Sequence, residues 1–446
     1  MKKNSMDMLN GSMWNKILLF ALPLAASSIL QQLFNSADVA VVGRFAGSEA
    51  LAAVGSNGPI INLLVNIFVG LSIGANVTVA KYIGQQRKEQ ISEAVHTSMA
   101  VAIISGLFLM LLGLLVTKPI LLLISTPHEI LNLAALYLKI YFIGMPFIML
   151  YNFGSAILRS RGDTKRPFIS LVIAGVVNVI LNLFFVIVCR MSVEGVAIAT
   201  VVSNIISSGM ILYFLIHEEG ELRLDLKKLK INKGILKEVA KIGVPAGMQS
   251  TVFSFSNICI QSALNSLGTD IVAASAAALN FECLAFFIIN AFSQTNVTFT
   301  SQNYGAGKFD RCSKSTMLCV GIGAVSTMVL GALFILFGNQ LLKLYTTDAT
   351  VIELAYQRMS FVLMFQFVNA FLEVTSGGIR GLGYSLIPAV ISVIGVCGIR
   401  LLWVYTVFER HKDFMTLMTV YPLSWTITAI AVFVSYFIIR KRAYKK

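Results

Sequence analysis

The chain has 446 residues, of which 57% are hydrophobic and only 13% are charged, and its formal net charge is +14. Soluble domains carry about 25% charged residues, and a soluble fold could not cover this much apolar surface. The six cysteines are scattered without a Cys-x-x-Cys pair, which excludes a disulfide scaffold and gives no support to a metal site. The composition therefore predicts a polytopic membrane protein.

Apolar runs long enough to cross a membrane as helices, which takes about 20 residues, recur twelve times along the chain. They lie at 17–42, 50–79, 94–117, 130–157, 167–189, 194–216, 236–262, 271–300, 315–338, 351–375, 386–408 and 414–439. An outer-membrane barrel would instead show alternating strands of about 10 residues. The predicted fold class is an all-α polytopic membrane protein with twelve transmembrane helices.

Positive charges are distributed unevenly between the two sides of these spans. If the N-terminus is cytoplasmic, 26 of the 35 Lys and Arg fall in cytoplasmic segments and six in outer loops, a strong positive-inside bias. We therefore expect a multi-pass protein of the inner (cytoplasmic) membrane with both termini in the cytoplasm. Because topology explains the basic charge, no nucleic-acid partner is expected.

The two halves of the sequence resemble each other at an offset near 221 residues. Matching pairs include Gly84 with Gly305, Arg159 with Arg380 and Pro167 with Pro388. Each half holds six spans, so we expect two pseudo-symmetric six-helix bundles that are parallel repeats and that rock against each other during transport. The predicted domains are an N-lobe over 1–216, a cytoplasmic linker over 217–235 and a C-lobe over 236–446.

Three acidic residues lie well inside the predicted spans: Asp38, Glu282 and Glu373. A charge at membrane depth costs ~2.5–3.5 kcal/mol on insertion scales, so such a residue faces protein or water and is a functional candidate. Asp38 ends an unusually polar stretch that starts at Gln31, and Pro23 can bend the same helix. A carboxylate on a bent helix can adopt two arrangements that differ in protonation.

Amide and hydroxyl side chains on two further spans could complete a cation site around Asp38. Asn178 and Asn182 share one helix face at positions i and i+4, and Thr200 lies on the next span. Oxygen atoms of these types are what a hard monovalent cation such as Na⁺ needs in place of its hydration shell. The same spacing is equally consistent with hydrogen bonds that only hold the helices together.

The second half offers further candidates, which are less well defined. Candidates for a secondary protonation site or a substrate contact are Glu282, Glu373, Asn369 and, in the first half, Gln31. Each glutamate could equally form a structural ion pair with Arg358 or Arg400. No nucleotide-binding motif is present, which indicates that transport draws its energy from an ion gradient.

Taken together, these features resemble the multidrug and toxic compound extrusion (MATE) family over nearly the whole chain. The motifs are Pro23 with Asp38 in the first span, the segment 158–167 (LRSRGDTKRP) after the fourth span, and its counterpart 379–388 after the tenth. The resemblance implies secondary active multidrug efflux, in which H⁺ or Na⁺ enters in exchange for organic, often cationic, amphiphilic compounds. A monomer in the lipid bilayer is expected, with small organic substrates as partners and no cofactor.

The resemblance also implies that Asp38, Asn178, Asn182 and Thr200 form the coupling site of the N-lobe, where a Na⁺ ion could bind. Asn182 stands where other members carry a second carboxylate, which leaves H⁺ and Na⁺ both open as the coupling ion. Some branches carry an acidic pair in spans seven and ten. Phe253 and Asn369 stand at those positions here.

Two other classes of function were weighed against efflux. A flippase for lipid-linked saccharides of a related fold would need several arginines facing the cavity to hold pyrophosphate, and only Arg358 and Arg400 are candidates. An integral membrane enzyme would need His, Asp or Glu clustered at one membrane depth, and the sequence shows no such cluster. We therefore expect a transporter and not an enzyme.

Overall fold

The computed structural model describes residues 6–124 and 126–445, and all regular structure in this part of the chain is helical. In chain order the α-helices are α1 (Met13–Phe45), α2 (Ser48–Gly84), α3 (Lys88–Leu123), α4 (His128–Ile143), α5 (Met145–Ser160), α6 (Lys165–Leu183), α7 (Val193–Ile216), α8 (Lys233–Asn265), α9 (Thr269–Gly305), α10 (Phe309–Leu336), α11 (Gly338–Leu342), α12 (Ala349–Gly381), α13 (Leu386–Ser392), α14 (Ile399–Trp403), α15 (Glu409–His411), α16 (Phe414–Met418) and α17 (Val420–Ala443). Three π-helical turns, Phe184–Val188, Val393–Gly398 and Val404–Phe408, continue α6, α13 and α14. Two short 3-10 helices, Gly220–Leu222 and Leu226–Lys228, follow α7.

Each predicted span corresponds to one helix or to a run of consecutive helices. Within the described residues, ten helical stretches are long and apolar enough to cross a membrane, and α4 with α5 forms an eleventh as a bent pair. The twelfth, α8, occupies the predicted seventh span, but its many Ser, Thr, Asn and Gln residues lower its mean hydropathy. The all-α, twelve-span fold class predicted from the sequence is confirmed.

The predicted fourth span is interrupted where the sequence analysis expected one continuous helix. α4 ends at Ile143 and α5 begins at Met145, with a bend of 46° between them. Pro146 stands in the first turn of α5, where its missing N–H is harmless, whereas a helix that ran through this position would lose a hydrogen bond. The proline thus explains why the apolar run becomes two helices.

The described chain folds into two compact units. Unit 1 consists of Ala26–Gly247 with the described residues up to Asp7, and unit 2 consists of Met8–Ala25 with the described residues from Met248 onward. Of the three boundaries between the units, the one between Asp7 and Met8 precedes α1, and the other two fall inside helices, in α1 two residues after Pro23 and in α8 two residues after Pro245. Each of these two helices therefore contributes to both units.

Each unit has its own apolar core. In unit 1 the fully buried side chains include Leu109 of α3, Phe142 of α4 and Phe153 of α5. In unit 2 they include Tyr436 of α17, which packs in a cluster contributed mainly by α8, α12, α16 and α17. Large apolar side chains also remain exposed, among them Leu115 of α3, as expected for helices that face lipid.

Within unit 1, α2 and the first part of α8 approach so closely that both need glycine. A Cβ atom added to Gly70 would lie 2.4 Å from the backbone nitrogen of Gly247, and one added to Gly74 would lie 2.1 Å from the carbonyl oxygen of Val239. In the other direction, a Cβ atom on Gly243 would lie 2.5 Å from the Cα atom of Leu71. Small residues at such crossings are typical of helix packing in membranes.

Candidate functional site

Residues from α1, α4, α5, α6 and α7 of unit 1 line a cavity of about 250 Å³. α6 carries Asn178 and Asn182 one turn apart, so both amides project from one side of the helix. Shortly after Asn182 the helix widens into the π-helical turn Phe184–Val188, an irregularity that is frequent at functional sites. α1 carries Asp38 and α7 carries Thr200, so three of the predicted spans meet here.

The structure brings the four residues predicted for the cation site into one cluster. The side-chain nitrogen Nδ2 of Asn182 donates a hydrogen bond to Oδ1 of Asp38 and a second one, at 3.2 Å, to Oδ1 of Asn178. Thr200 lies within hydrogen-bonding reach of Asp38, and its hydroxyl donates to the carbonyl oxygen of Val196 at 2.9 Å. Asp38, Asn178 and Thr200 line the cavity, whereas Asn182 is fully buried behind them.

Asp38 is electrostatically isolated. Its side chain is only 8% exposed, and among the described residues that line the cavity it alone carries a charge. A buried carboxylate without a basic partner is costly unless a proton or a cation neutralises it. The arrangement can therefore bind a monovalent cation or a proton.

The amide of Asn182 has one unused acceptor. Its Nδ2 atom makes both hydrogen bonds of the side chain, while its Oδ1 atom is buried without a hydrogen-bond partner. A half-turn of the amide exchanges the positions of these two atoms. After such a turn, Oδ1 would point toward Asp38 and Asn178, where a cation could be held between three oxygen atoms.

Several other polar side chains line the same cavity, and only one of them was predicted from the sequence. Gln31, a predicted secondary contact, lies at the cavity with an exposed side chain. Tyr137 and Tyr141 of α4 stack with 6.2 Å between ring centroids, and Asn152 of α5 adds another amide. The i and i+4 spacing of the two tyrosines is visible in the sequence, but a packed core shows the same spacing.

Contact between α1 and α6 positions the cluster. The ring of Phe34, one turn before Asp38, lies against Gly175, one turn before Asn178. A Cβ atom added to Gly175 would lie 1.8 Å from Cε2 of Phe34, so only glycine permits this approach. No pattern in the sequence indicates that these two residues meet.

Glu282 lies in unit 2 and forms a buried ion pair with Arg358. The Nε and Nη2 atoms of Arg358 donate to the two carboxylate oxygens at 2.8 and 3.0 Å. Both side chains are buried, and this two-point geometry is the strongest form of such a pair. Of the roles left open for Glu282, the structure shows the ion pair, and its partner is Arg358.

Glu373 and Asn369 line a second cavity, of about 380 Å³, that lies within unit 2 together with the Glu282–Arg358 pair. The charged group that acts on the carboxylate of Glu373 is Arg380, which also donates from Nη2 to Oε1 of Gln249 at 2.7 Å. The positive charge that acts on Glu373 is therefore that of Arg380, and not that of Arg358 or Arg400, the two arginines considered from the sequence. The remaining lining is mostly aromatic and aliphatic.

The chain was compared with known protein families and with solved structures. A family model described as MatE matches residues 23–184 and again residues 245–406. The two matches begin at the prolines of α1 and α8, and they lie 222 residues apart, close to the offset of the internal repeat. The same model thus covers both halves of the chain.

Relatives of similar length are named probable multidrug resistance proteins. The chain is 26% identical over 439 residues to the probable multidrug resistance protein YoeA of Bacillus subtilis, covering 97% of this chain and 95% of that protein. It is 26% identical over 391 residues to the probable multidrug resistance protein NorM of Thermotoga maritima, covering 86% and 84%. A solved outward-facing structure of a multidrug resistance MATE family transporter of the MOP superfamily superposes with a TM-score of 0.92 at 21% identity, covering 100% of this chain and 99% of that one.

Proposed function

The chain belongs to the multidrug and toxic compound extrusion (MATE) family of efflux transporters, which are not enzymes, and from this premise we propose that it exports organic amphiphiles in exchange for a cation bound at Asp38. The observation that supports this proposal is the isolation of Asp38 in a cavity whose other lining residues are uncharged. Asn178, Asn182 and Thr200 supply the neutral oxygen atoms of the site. The exported compounds are expected to be small organic molecules, often cationic.

The coupling ion can be accommodated in two ways, and both involve Asn182. A Na⁺ ion would take the carboxylate of Asp38, Oδ1 of Asn178 and the hydroxyl of Thr200, with water from the cavity completing its shell. A proton would bind to Asp38 alone, which would then donate a hydrogen bond. In either case the amide of Asn182 would turn, so that its unused Oδ1 atom faces the bound ion or the new donor.

Binding and release of the ion then drive alternating access. While Asp38 is ionised, the site carries an uncompensated charge, and neutralisation removes that cost. α1 carries both Asp38 and Pro23, and a proline provides a place where a helix can bend. We propose that the helix changes its bend when Asp38 is neutralised and that this change is coupled to the rocking of the two lobes.

We further propose that the protein acts as a monomer in the cytoplasmic membrane with both termini inside the cell. The bias of Lys and Arg toward one side of the spans supports this orientation. A tag at either terminus should accordingly be cleaved by a protease added to inside-out vesicles and protected in right-side-out vesicles.

The experiment that tests the proposed coupling uses proteoliposomes loaded with a fluorescent organic cation. Na⁺ and H⁺ gradients are imposed separately on the wild type, on Asp38→Asn and on Asp270→Asn, which makes the same change at an exposed acid in α9. We expect gradient-driven export by the wild type and by Asp270→Asn, and only leakage by Asp38→Asn. Full gradient-driven export by Asp38→Asn would refute the proposal.

A further inference from the structure

Arg400 of α14 is a buried cation that the proposed coupling mechanism does not use. Its side chain is 7% exposed, and its Nε atom has no hydrogen-bond partner. Its Nη1 atom donates to Oδ1 of Asn257 at 3.1 Å, and the guanidinium lies 4.7 Å from the ring centroid of Tyr421. Because arginine stays protonated, an amide and an aromatic face are modest compensation for a full charge at this depth.

Two carboxylates, Glu282 and Glu373, line the same cavity, and in the described part of the chain neither forms an ion pair with Arg400. Glu282 gives both oxygens to Arg358, whose guanidinium lies on the same Tyr421 ring at 5.7 Å. Glu373 lies in the same cavity as Arg400, and the positive charge that acts on its carboxylate is that of Arg380. Among the described residues around Tyr421, two arginines thus share a single carboxylate, and one positive charge is left over on Arg400.

Arg400 lines the cavity of about 380 Å³ within unit 2. This volume is in the range of sites for small organic ligands. Four aromatic side chains, Phe253, Phe286, Tyr421 and Trp425, belong to the lining, which suits a flat apolar ligand. The cavity therefore combines aromatic and aliphatic side chains with four charged ones, Glu282, Arg358, Glu373 and Arg400, and among the described residues Arg400 forms no ion pair of its own.

We propose that this cavity is a ligand site at which Arg400 pairs with a carboxylate group on a planar aromatic amphiphile. Arginine and carboxylate form charge-assisted hydrogen bonds, and Arg400 is the residue of the cavity lining that can supply one to a bound carboxylate. The inference rests on the proposed efflux function and specifies its substrate class, because compounds that carry a carboxylate, zwitterions included, would then be accepted beside simple cations.

The test compares two dyes that differ only at the predicted contact, a rhodamine with a free carboxylate and its methyl ester. Their equilibrium affinities for the purified protein in detergent are measured by fluorescence polarisation. The wild type should bind the acid about tenfold more tightly than the ester, as expected for one charge-assisted contact. Arg400→Gln should remove this preference, and Arg400→Lys should keep part of it.

The control is Arg410→Gln, which removes the same charge from an exposed arginine outside the cavity and should leave the preference for the acid unchanged. Equal affinity of the wild type for acid and ester would overturn the inference, as would an undiminished preference in Arg400→Gln. If Arg400→Gln does not fold, the wild-type comparison and Arg400→Lys still answer the question. Because no gradient is applied, a failure of ion-driven export would not change the result of this test.

Discussion

A substitution at Asn182 can change the net charge of the proposed cation site, because its side chain contacts Asp38 directly. Asn182 is fully buried and holds both Asp38 and Asn178 through one nitrogen atom. Because its amide is neutral, the cluster carries one negative charge. A second carboxylate in this place would add a repulsion that a bound cation relieves.

We predict that Asn182→Asp makes the protein more dependent on Na⁺. The thermal unfolding midpoint in detergent should rise with Na⁺ concentration more steeply than that of the wild type, with an apparent Na⁺ affinity about tenfold higher. Asn280→Asp adds the same charge at a half-buried position of α9, outside the cluster, and should show the wild-type response. If the unfolding midpoint of Asn182→Asp did not depend on Na⁺ concentration, the proposed ligand set would be wrong.

The ion pair between Glu282 and Arg358 leads to a prediction about stability. Arg358→Gln leaves a buried carboxylate without its partner and should cost about 3–5 kcal/mol of unfolding free energy. The double variant Glu282→Gln with Arg358→Gln should recover much of this loss, because no uncompensated charge remains. Thermal unfolding of both variants in detergent measures the two effects.

An exposed pair provides the comparison for this prediction. Glu409 and Lys412 also form an ion pair, at 3.0 Å, but both side chains are about 60% exposed, so Glu409→Gln should cost less than about 1 kcal/mol. If Arg358→Gln were as stable as Glu409→Gln, the buried pair would not contribute as its geometry indicates.

The sequence predicts the residues around Asp38 better than it predicts the partner of Glu282. Asn178 and Asn182 are four residues apart on one helix, so their shared face follows from helix geometry alone. The choice between Arg358 and Arg400 as partner of Glu282 depends on contacts between residues 76 positions or more apart, which the packing of α9, α12 and α14 determines. Local spacing could show which residues are candidates, but only the packing shows which partners they have.

At the scale of helices, the close approach of α1 to α6 positions Asp38 beside Asn178. We predict that Gly175→Ala displaces Phe34, because the added Cβ atom would lie 1.8 Å from its ring. This overpacking should cost about 1–3 kcal/mol and should lower gradient-driven export more than it lowers substrate binding. Export in proteoliposomes and dye binding in detergent provide the two measurements.

Gly209→Ala is the matched control for this prediction. Gly209 lies in α7 of the same unit, and a Cβ atom added there meets no atom within 4 Å, so export should be unchanged. Equal effects of the two alanine substitutions would indicate that glycine itself, and not the approach of α1 to α6, is what matters.

The helices also show where reading the sequence has a physical limit. Length and apolarity predicted twelve spans, since crossing a membrane requires both. Length and apolarity contain no information about bends, so they predicted one continuous helix where the structure has α4 and α5. Pro146, which explains the break, is present in the sequence. No residue in the sequence marks the π-helical turns in the way that Pro146 marks the break. The sequence of such a turn is as apolar as the helices around it, as in Phe184–Val188.

At the scale of the whole transporter, the charge of the exported compound determines how much the membrane potential contributes. One cation that moves inward releases ~2.3 kcal/mol per 100 mV, whereas a tenfold substrate gradient costs ~1.4 kcal/mol. If one cation is exchanged for one substrate, export of a neutral compound uses the potential fully, and export of a monovalent cation moves no net charge.

We therefore predict that an imposed inside-negative potential accelerates export of a neutral substrate and leaves export of a monovalent cationic substrate nearly unchanged. Proteoliposomes with a potassium diffusion potential and constant Na⁺ and H⁺ concentrations provide the measurement. Strong acceleration of the cationic substrate would show that more than one ion enters in each cycle.

The sharing of α1 and α8 between the two compact units has a consequence for how the protein is made. When the ribosome has completed residues 1–222, unit 1 still lacks the part of α8 that presents Gly243 and Gly247 to α2. The first repeat synthesised alone should therefore be degraded in cells, while co-expression of the fragments 1–222 and 223–446 should restore both by complementation. Pulse-chase lifetimes of each fragment, alone and together, would measure this dependence. A longer lifetime together would mean that the first repeat escapes degradation only after the second repeat has been inserted.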